Sequence, residues 1–205
     1  MNPLRSRRDA GQAFPIYITV VGGLLFLAFA YFAVGQAAAN RNGAQTAADA
    51  AALAAAQDTR EQLMDLWVDS ISDPAKWEDI FDGDVPGLDP SCWRADQLAA
   101  RNDAHVLACG PDGATGVTVE VETNRPIGES IVPGTADKKS RASATAVVES
   151  RCTFELPGGD AEEDSLPRLT CEDTQWELDP EDSAELPQAA DLFEVHLADG
   201  EADDE

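Results

Sequence analysis

Residues 14–34 read FPIYITVVGGLLFLAFAYFAV, and residues 40–56 read NRNGAQTAADAAALAAA. No Asp, Glu, Lys or Arg occurs from Ala10 to Asn40, while Arg5, Arg7 and Arg8 precede the run. A bilayer core is ~30 Å thick and needs about 20 apolar residues to cross it as a helix. The apolar side chains between Phe14 and Val34 favour insertion by roughly 4 to 7 kcal/mol. Pro15 sits at the first turn, where its missing N–H costs little. Gly22-Gly23 reads as a pair tolerated in lipid, because a single Gly-Gly is not a Gly-xxx-Gly packing motif. Cationic flanks resist translocation, so the arginines place the N-terminus in the cytoplasm and everything beyond about Asn40 outside. A cleaved signal peptide ending at Ala37-Ala38-Ala39 is the rival reading. Its apolar region would usually be ~7–15 residues, shorter than this one.

The alanine-rich stretch continues the helix, since alanine has the best helix propensity. Ala44, Ala47, Ala48, Ala51 and Ala55 fall on one helical stripe. Methyl groups there permit close approach, either of a partner helix or of the chain's own sheet. Larger apolar residues follow at Leu63, Leu66, Trp67 and Ile71, until Pro74 ends the helix. Gly35 and Gly43 are places where it would bend or fray.

The chain has 205 residues and a formal net charge of −25. From Leu156 to Glu205, Arg168 is the only basic residue. Such polarity and self-repulsion disfavour a packed core, so residues 179–205 read as an acidic, disordered tail, solvating rather than cation-binding. Within it, Leu192, Phe193, Val195 and Leu197 would form a short strand or docking segment. Nucleic acid is excluded as a partner because phosphate binding needs a basic face. Cys92, Cys109, Cys152 and Cys171 lie in the part placed outside, with no Cys-x-x-Cys and no ligand-spaced histidines, so they read as disulfides rather than a zinc site. Four cysteines allow three pairings. Cys92–Cys109 and Cys152–Cys171 are favoured because near neighbours close small loops, each contributing ~3 kcal/mol in the chain-entropy model.

Residues 73–90 read as an irregular connection. Asp79, Asp82, Asp84 and Asp89 do not have the spacing of a calcium-binding EF-hand loop. Residues 91–108 read as holding a short helix. Val117, Val119 and Val121 alternate with polar residues as a half-buried strand, residues 123–139 form a loop, and Ser143 to Glu149 a second strand. Further strand segments fall at Cys152–Leu156 and Leu169–Leu178.

The segment Gly11-Gln-Ala-Phe-Pro, the apolar helix, and the run Gln45-Thr46-Ala47-Ala48-Asp49-Ala50-Ala51-Ala52-Leu53-Ala54 together resemble the N-terminal module of TadE/TadG-like proteins, components of tight-adherence (Flp-type) pilus assembly systems. The likeness covers roughly residues 8–57; the valine-rich strand and Ser143 to Val148 are similar to the family's short exported region more loosely. The Asp-x-Ser-x-Ser motif of longer members' von Willebrand A-type domain is not found. Prepilin-like relatives carry Glu five residues beyond a processed glycine; counting from Gly11, the candidate processing glycine, that position is Ile16.

The expected class is α+β: a long N-terminal transmembrane helix continuing into an alanine-rich helix, then a small disulfide-bonded antiparallel domain and the tail. The divisions are a cytoplasmic basic N-terminus (1–13), the transmembrane helix (14–39), the alanine-rich extracytoplasmic helix (40–73), a small exported domain (74–178) and the tail (179–205). The resemblance implies a non-enzymatic, single-pass component of a pilus or related secretion assembly. Its partners would be the bilayer and other pilus-assembly or pilin-like membrane proteins, with homo- or hetero-oligomers forming through the N-terminal helix. The alternative is a surface-anchored acidic module binding cations or envelope material. Nothing in the residues calls for a cofactor. An enzyme finds little support: no Ser/His/Asp set, Cys/His pair or phosphate loop has the required context.

Overall fold

One helix, α1, runs without interruption from Ala13 to Asp69, 57 residues in all. At 1.5 Å per residue that is ~85 Å. This computed structural model describes residues 13–126, 137–156, 166–180 and 185–198. Gly35 and Gly43 do not break the rod. Nothing lies within 4 Å of where a Cβ at Gly43 would stand, so this glycine is not required by a close approach. The helix ends short of Pro74: the Ser70 amide is shared between the Leu66 and Trp67 carbonyls, and Ile71 N donates to Val68 O at 3.2 Å, a tightening last turn.

The chain then makes a 3-10 turn at Pro74–Lys76 and a short helix α2 (Trp77–Phe81). Helix α3 (Cys92–Arg101) follows, then strands β1 (Ala104–Asp112), β2 (Gly116–Thr123), β3 (Arg141–Ser150), β4 (Cys152–Phe154), β5 (Leu169–Cys171) and β6 (Thr174–Trp176). A single turn α4 (Ala189–Leu192) leads into β7 (Phe193–Leu197). The main sheet is antiparallel in the order β1-β2-β3-β7, and β4-β5-β6 form a smaller antiparallel sheet.

Register explains the layers. Val117, Val119 and Val121 pair with Ala146, Ala144 and Ala142, and Val148 with Val195. These side chains share the face covered by α1 and α3, with Thr118, Glu120 and Glu122 on the other side. Ala44, Ala47, Ala48, Ala51 and Ala55 have no exposed surface. The chain's own β2, β3, β7 and α3 pack against this helix, so within this protein the stripe is an internal helix–sheet and helix–helix contact. Of the two readings of the stripe, the chain's own sheet is the one seen here: the methyl groups face the protein's own interior. Residue size rises along α1, from Ala44–Ala56 to Leu63 and Trp67. At that far end the core becomes aromatic, with Trp67–Trp77, Trp77–Phe154, Phe81–Phe154 and Phe81–Phe193 ring centroids 5.3–5.8 Å apart.

Three expectations are corrected. The connection at 73–90 contains α2, whose Trp77, Ile80 and Phe81 are buried. The short helix expected within 91–108 is α3, and the strand β1 that follows it from Ala104 was not expected. Leu169–Leu178 is a hairpin of β5 and β6, not one strand, because the left-handed Glu172 (φ 50) turns the chain. Within 179–205, α4 and β7 are ordered: β7 pairs with β3 through five residue pairs and buries Phe193, so part of the acidic segment completes the sheet. The short strand expected from Leu192, Phe193, Val195 and Leu197 is β7, in which Glu194 and His196 alternate with the apolar residues.

Overpacking costs about 1–3 kcal/mol. We expect Ala48→Leu with Ala51→Leu to destabilise the detergent-solubilised protein by that order or more, while Ala38→Leu, on the exposed part of α1, leaves it unchanged. Urea unfolding checks this; equal midpoints for all three proteins would show the stripe is not packed on the sheet.

Candidate assembly site: the anchor helix and the head it carries

The first half of α1 is apolar and uncovered all round. Ile16, Tyr17, Leu24, Phe26, Leu27, Phe29, Phe32 and Val34 are each more than half exposed, and none of the most apolar stretch is buried in the protein. A helix hydrophobic on every face needs an apolar surrounding. Thr19, its one hydroxyl besides the tyrosines, donates to Pro15 O at 2.8 Å, so that group is satisfied within the helix. Gly11, the candidate processing residue, lies outside the described residues.

The second half of α1 is the spine of the head. At the junction, Asn40 Nδ2 donates to Arg125 O at 3.3 Å and Thr123 Oγ1 donates to Asn40 Oδ1 at 3.4 Å. Gln45 Nε2 donates to Asp49 Oδ1 at 2.7 Å and reaches Ser143 O of β3. The polar residues of the Gln-x-x-x-Asp pattern thus meet one turn apart beside the sheet, while the alanines between them lie beneath it. Farther along, Gln62 clamps the loop ahead of α3: its Nε2 donates to Asp89 O at 3.0 Å and its Oε1 accepts from Asp89 N at 3.3 Å. Asp58 accepts from Ser91 and pairs with Arg94 at 3.5 Å. Sequence reasoning missed Asp58 and Gln62. The available signal was their spacing, i and i+4 on one face of the helix.

All four cysteines are bonded. Cys92–Cys109 ties α3 to β1, and Cys152–Cys171 ties β4 to β5. Arg151, between β3 and β4, pairs with Glu172 on the hairpin turn, and the Glu172 amide donates to Arg151 O at 3.1 Å. A cleft of about 420 Å³ opens between α2 and β4, lined by Glu78, Phe81, Asp82, Cys152, Phe154 and Leu156 among others. Its cysteine is locked in a disulfide, and its titratable groups are carboxylates. Among the described residues no group of three or more His, Cys, Asp or Glu is placed to hold a metal ion.

The outer face of the main sheet is polar. Glu122 sits among Arg141 at 3.0 Å, Lys139 at 3.5 Å and His105 at 3.7 Å. The hydrogen bond from Arg141, joined by the charge of Lys139, holds its carboxyl below the usual value. His196 on β7 is raised, first by its Nδ1–H donating to Leu197 O and then by Glu149, 3.4 Å from its Nε2. Thr118 and Thr145 share a hydrogen bond of 2.6 Å across β2 and β3.

Comparison with known proteins bears on one part of this arrangement. Residues 11–58 match the family model of putative Flp pilus-assembly TadE/G-like proteins. The matched segment is roughly a quarter of the chain, and it holds both the lipid-facing helix and the alanine run inside the head. The TadE/G-like group is a pilus-assembly, non-enzymatic family. No curated protein and no solved structure matches the chain. Together the apolar helix and the TadE/G-like segment fit a single-pass, membrane-anchored pilus-assembly component.

The depressed Glu122 carboxyl contributes stability above the ordinary carboxylate range, lost as pH falls through its folded value. The raised His196 contributes stability below its ordinary range, lost as pH rises through its folded value. We expect the melting temperature of Glu122→Gln to lie below the parent's at neutral pH and to converge with it in acid. For His196→Gln the gap should appear in mild acid and close in alkali. Melting curves against pH read both gaps, and parallel curves would contradict the assignments.

Proposed function

We propose that the protein is a non-enzymatic component of a Flp/Tad-type pilus or related secretion assembly, spanning the membrane once with its N-terminus in the cytoplasm and its head outside. The observation that carries this reading is that one unbroken helix from Ala13 runs through the matched TadE/G-like segment, so that the segment supplies both the apolar helix and the head's core. Cleavage near Ala37–Ala39 would cut that rod in its middle. The basic flank (Arg5, Arg7, Arg8) supports the inward N-terminus, and the two disulfides support a head in an oxidising compartment.

Because the alanine stripe is used internally, partners would meet α1 along its membrane half. The head's part is mechanical: two disulfides and an aromatic far end make a stiff body at the end of a stiff rod.

Photoreactive residues at Leu24 and Phe29, introduced one at a time in cells that assemble the pilus, test this. Both should give adducts with other membrane components of the assembly. Adducts with lipid alone from both membrane positions would contradict the proposal. For orientation, an impermeant thiol reagent applied to intact cells should label Lys138→Cys and not Ser6→Cys; the reverse pattern would overturn it.

A further inference from the structure

The head is electrically polar along α1, against the trend of the whole chain. At the end nearest the apolar helix, the β2–β3 connection and α1 present Arg41, Arg125, Lys138, Lys139 and Arg141, all exposed. The described acids among them are Asp103, Glu122 and Asp137, so cations outnumber carboxylates five to three. At the far end, residues 61–93 contain nine Asp and Glu and a single cation, Lys76. The chain as a whole is at −25, so this rim is a local reversal of sign.

Its height is fixed by the helix. Asn40, whose side chain holds Arg125 O and Thr123 Oγ1, is six residues beyond Val34, or ~9 Å along the axis. The headgroup layer outside the ~30 Å hydrocarbon core is roughly 5–8 Å deep on each side. The cations therefore stand at the outer boundary of the phosphates, within a Debye length of ~8 Å. Three of them are tethered by ion pairs: Arg125 to Asp103 at 3.5 Å, and Lys139 and Arg141 to Glu122. Arg41 and Lys138 have no ion pair among the described residues.

We infer that this basic rim seats the head on anionic phospholipid headgroups of the leaflet it faces, and that the acidic far end is held away from the membrane by the same field. The inference rests on α1 spanning the bilayer, and holds whichever side the head is on. Lipid is favoured over a protein surface as the partner because the rim lies at the height of the phosphates.

The test uses the full chain in nanodiscs containing phosphatidylglycerol or phosphatidylcholine with the same photoreactive headgroup. Crosslinks should map to Arg41 and to residues 124–126 and 137–141 and favour phosphatidylglycerol. They should fall when salt rises from ~0.01 to ~1 M, which shortens the Debye length from ~30 to ~3 Å. Arg41→Ser with Lys138→Ser, which breaks no ion pair among the described residues, should reduce them roughly fivefold or more. Equal labelling by both lipids, insensitivity to salt, or labelling centred on residues 61–93 would overturn the inference. So would rim crosslinks to a second protein in place of lipid. Resistance to alkaline extraction is scored separately; a protein that washes out would refute the spanning reading, and this inference with it.

Discussion

The close contact between the alanines of α1 and the valine-and-alanine face of β2 and β3 is the constraint on which the remaining structure depends. Only small side chains let a helix lie along a sheet over Ala44 to Ala56 with no exposed surface at the stripe. Because the same helix is the apolar anchor, this packing ties the head to the membrane without a linker. Helices of this kind draw most of their stability from such packing rather than from propensity. Alanine satisfies both demands, since it favours the helix and costs no side-chain entropy on burial.

The far end solves a different problem. Beyond Leu63 the stripe gives way to Trp67, and the space between elements is filled by Trp77, Phe81, Phe154 and Phe193 from α2, β4 and β7. With Trp67 of α1 these come from four separate parts of the sequence, so the aromatic cluster closes the head on itself. The disulfides tie neighbouring elements together: Cys92 fixes α3 to β1, and Cys152 fixes the three-residue strand β4 to β5. Polar chemistry is kept to the outer sheet face and the rim, where Glu122 is surrounded by three basic groups.

Much of this was legible from local pattern. The uncharged run announces the anchor, the alanine stripe a closely packed helix, and the alternation of Val117, Val119 and Val121 a strand with one buried face. Other features depended on partners far away in sequence. β1 carries Cys109, Gly110 and Pro111 and is irregular between Val106 and Ala108, so its alternation is broken. α2 is five residues long, too short to show a period. β7 alternates Phe193, Val195 and Leu197 with Glu194 and His196 in an acidic segment; strand and docking segment were both open there, and pairing with β3 makes it a strand. The stripe itself had two readings, and the choice between sheet and partner helix required knowing where the strands fold back. Asp58 and Gln62 were invisible because their partners, Ser91, Arg94 and Asp89, are brought to them by α3 and its leading loop.

An unbroken rod running from the lipid into the head's core is the central claim, and a single distance tests it most directly. Spin labels at Ala38→Cys and Asp65→Cys, both exposed positions on α1, are separated by 27 residues, or ~40 Å in a continuous helix. Double electron–electron resonance on the protein in nanodiscs should give a narrow distribution at that distance, allowing for label length. A broad or distinctly shorter distribution would mean a hinge near Gly43, and the account of anchor and head as one body would be wrong.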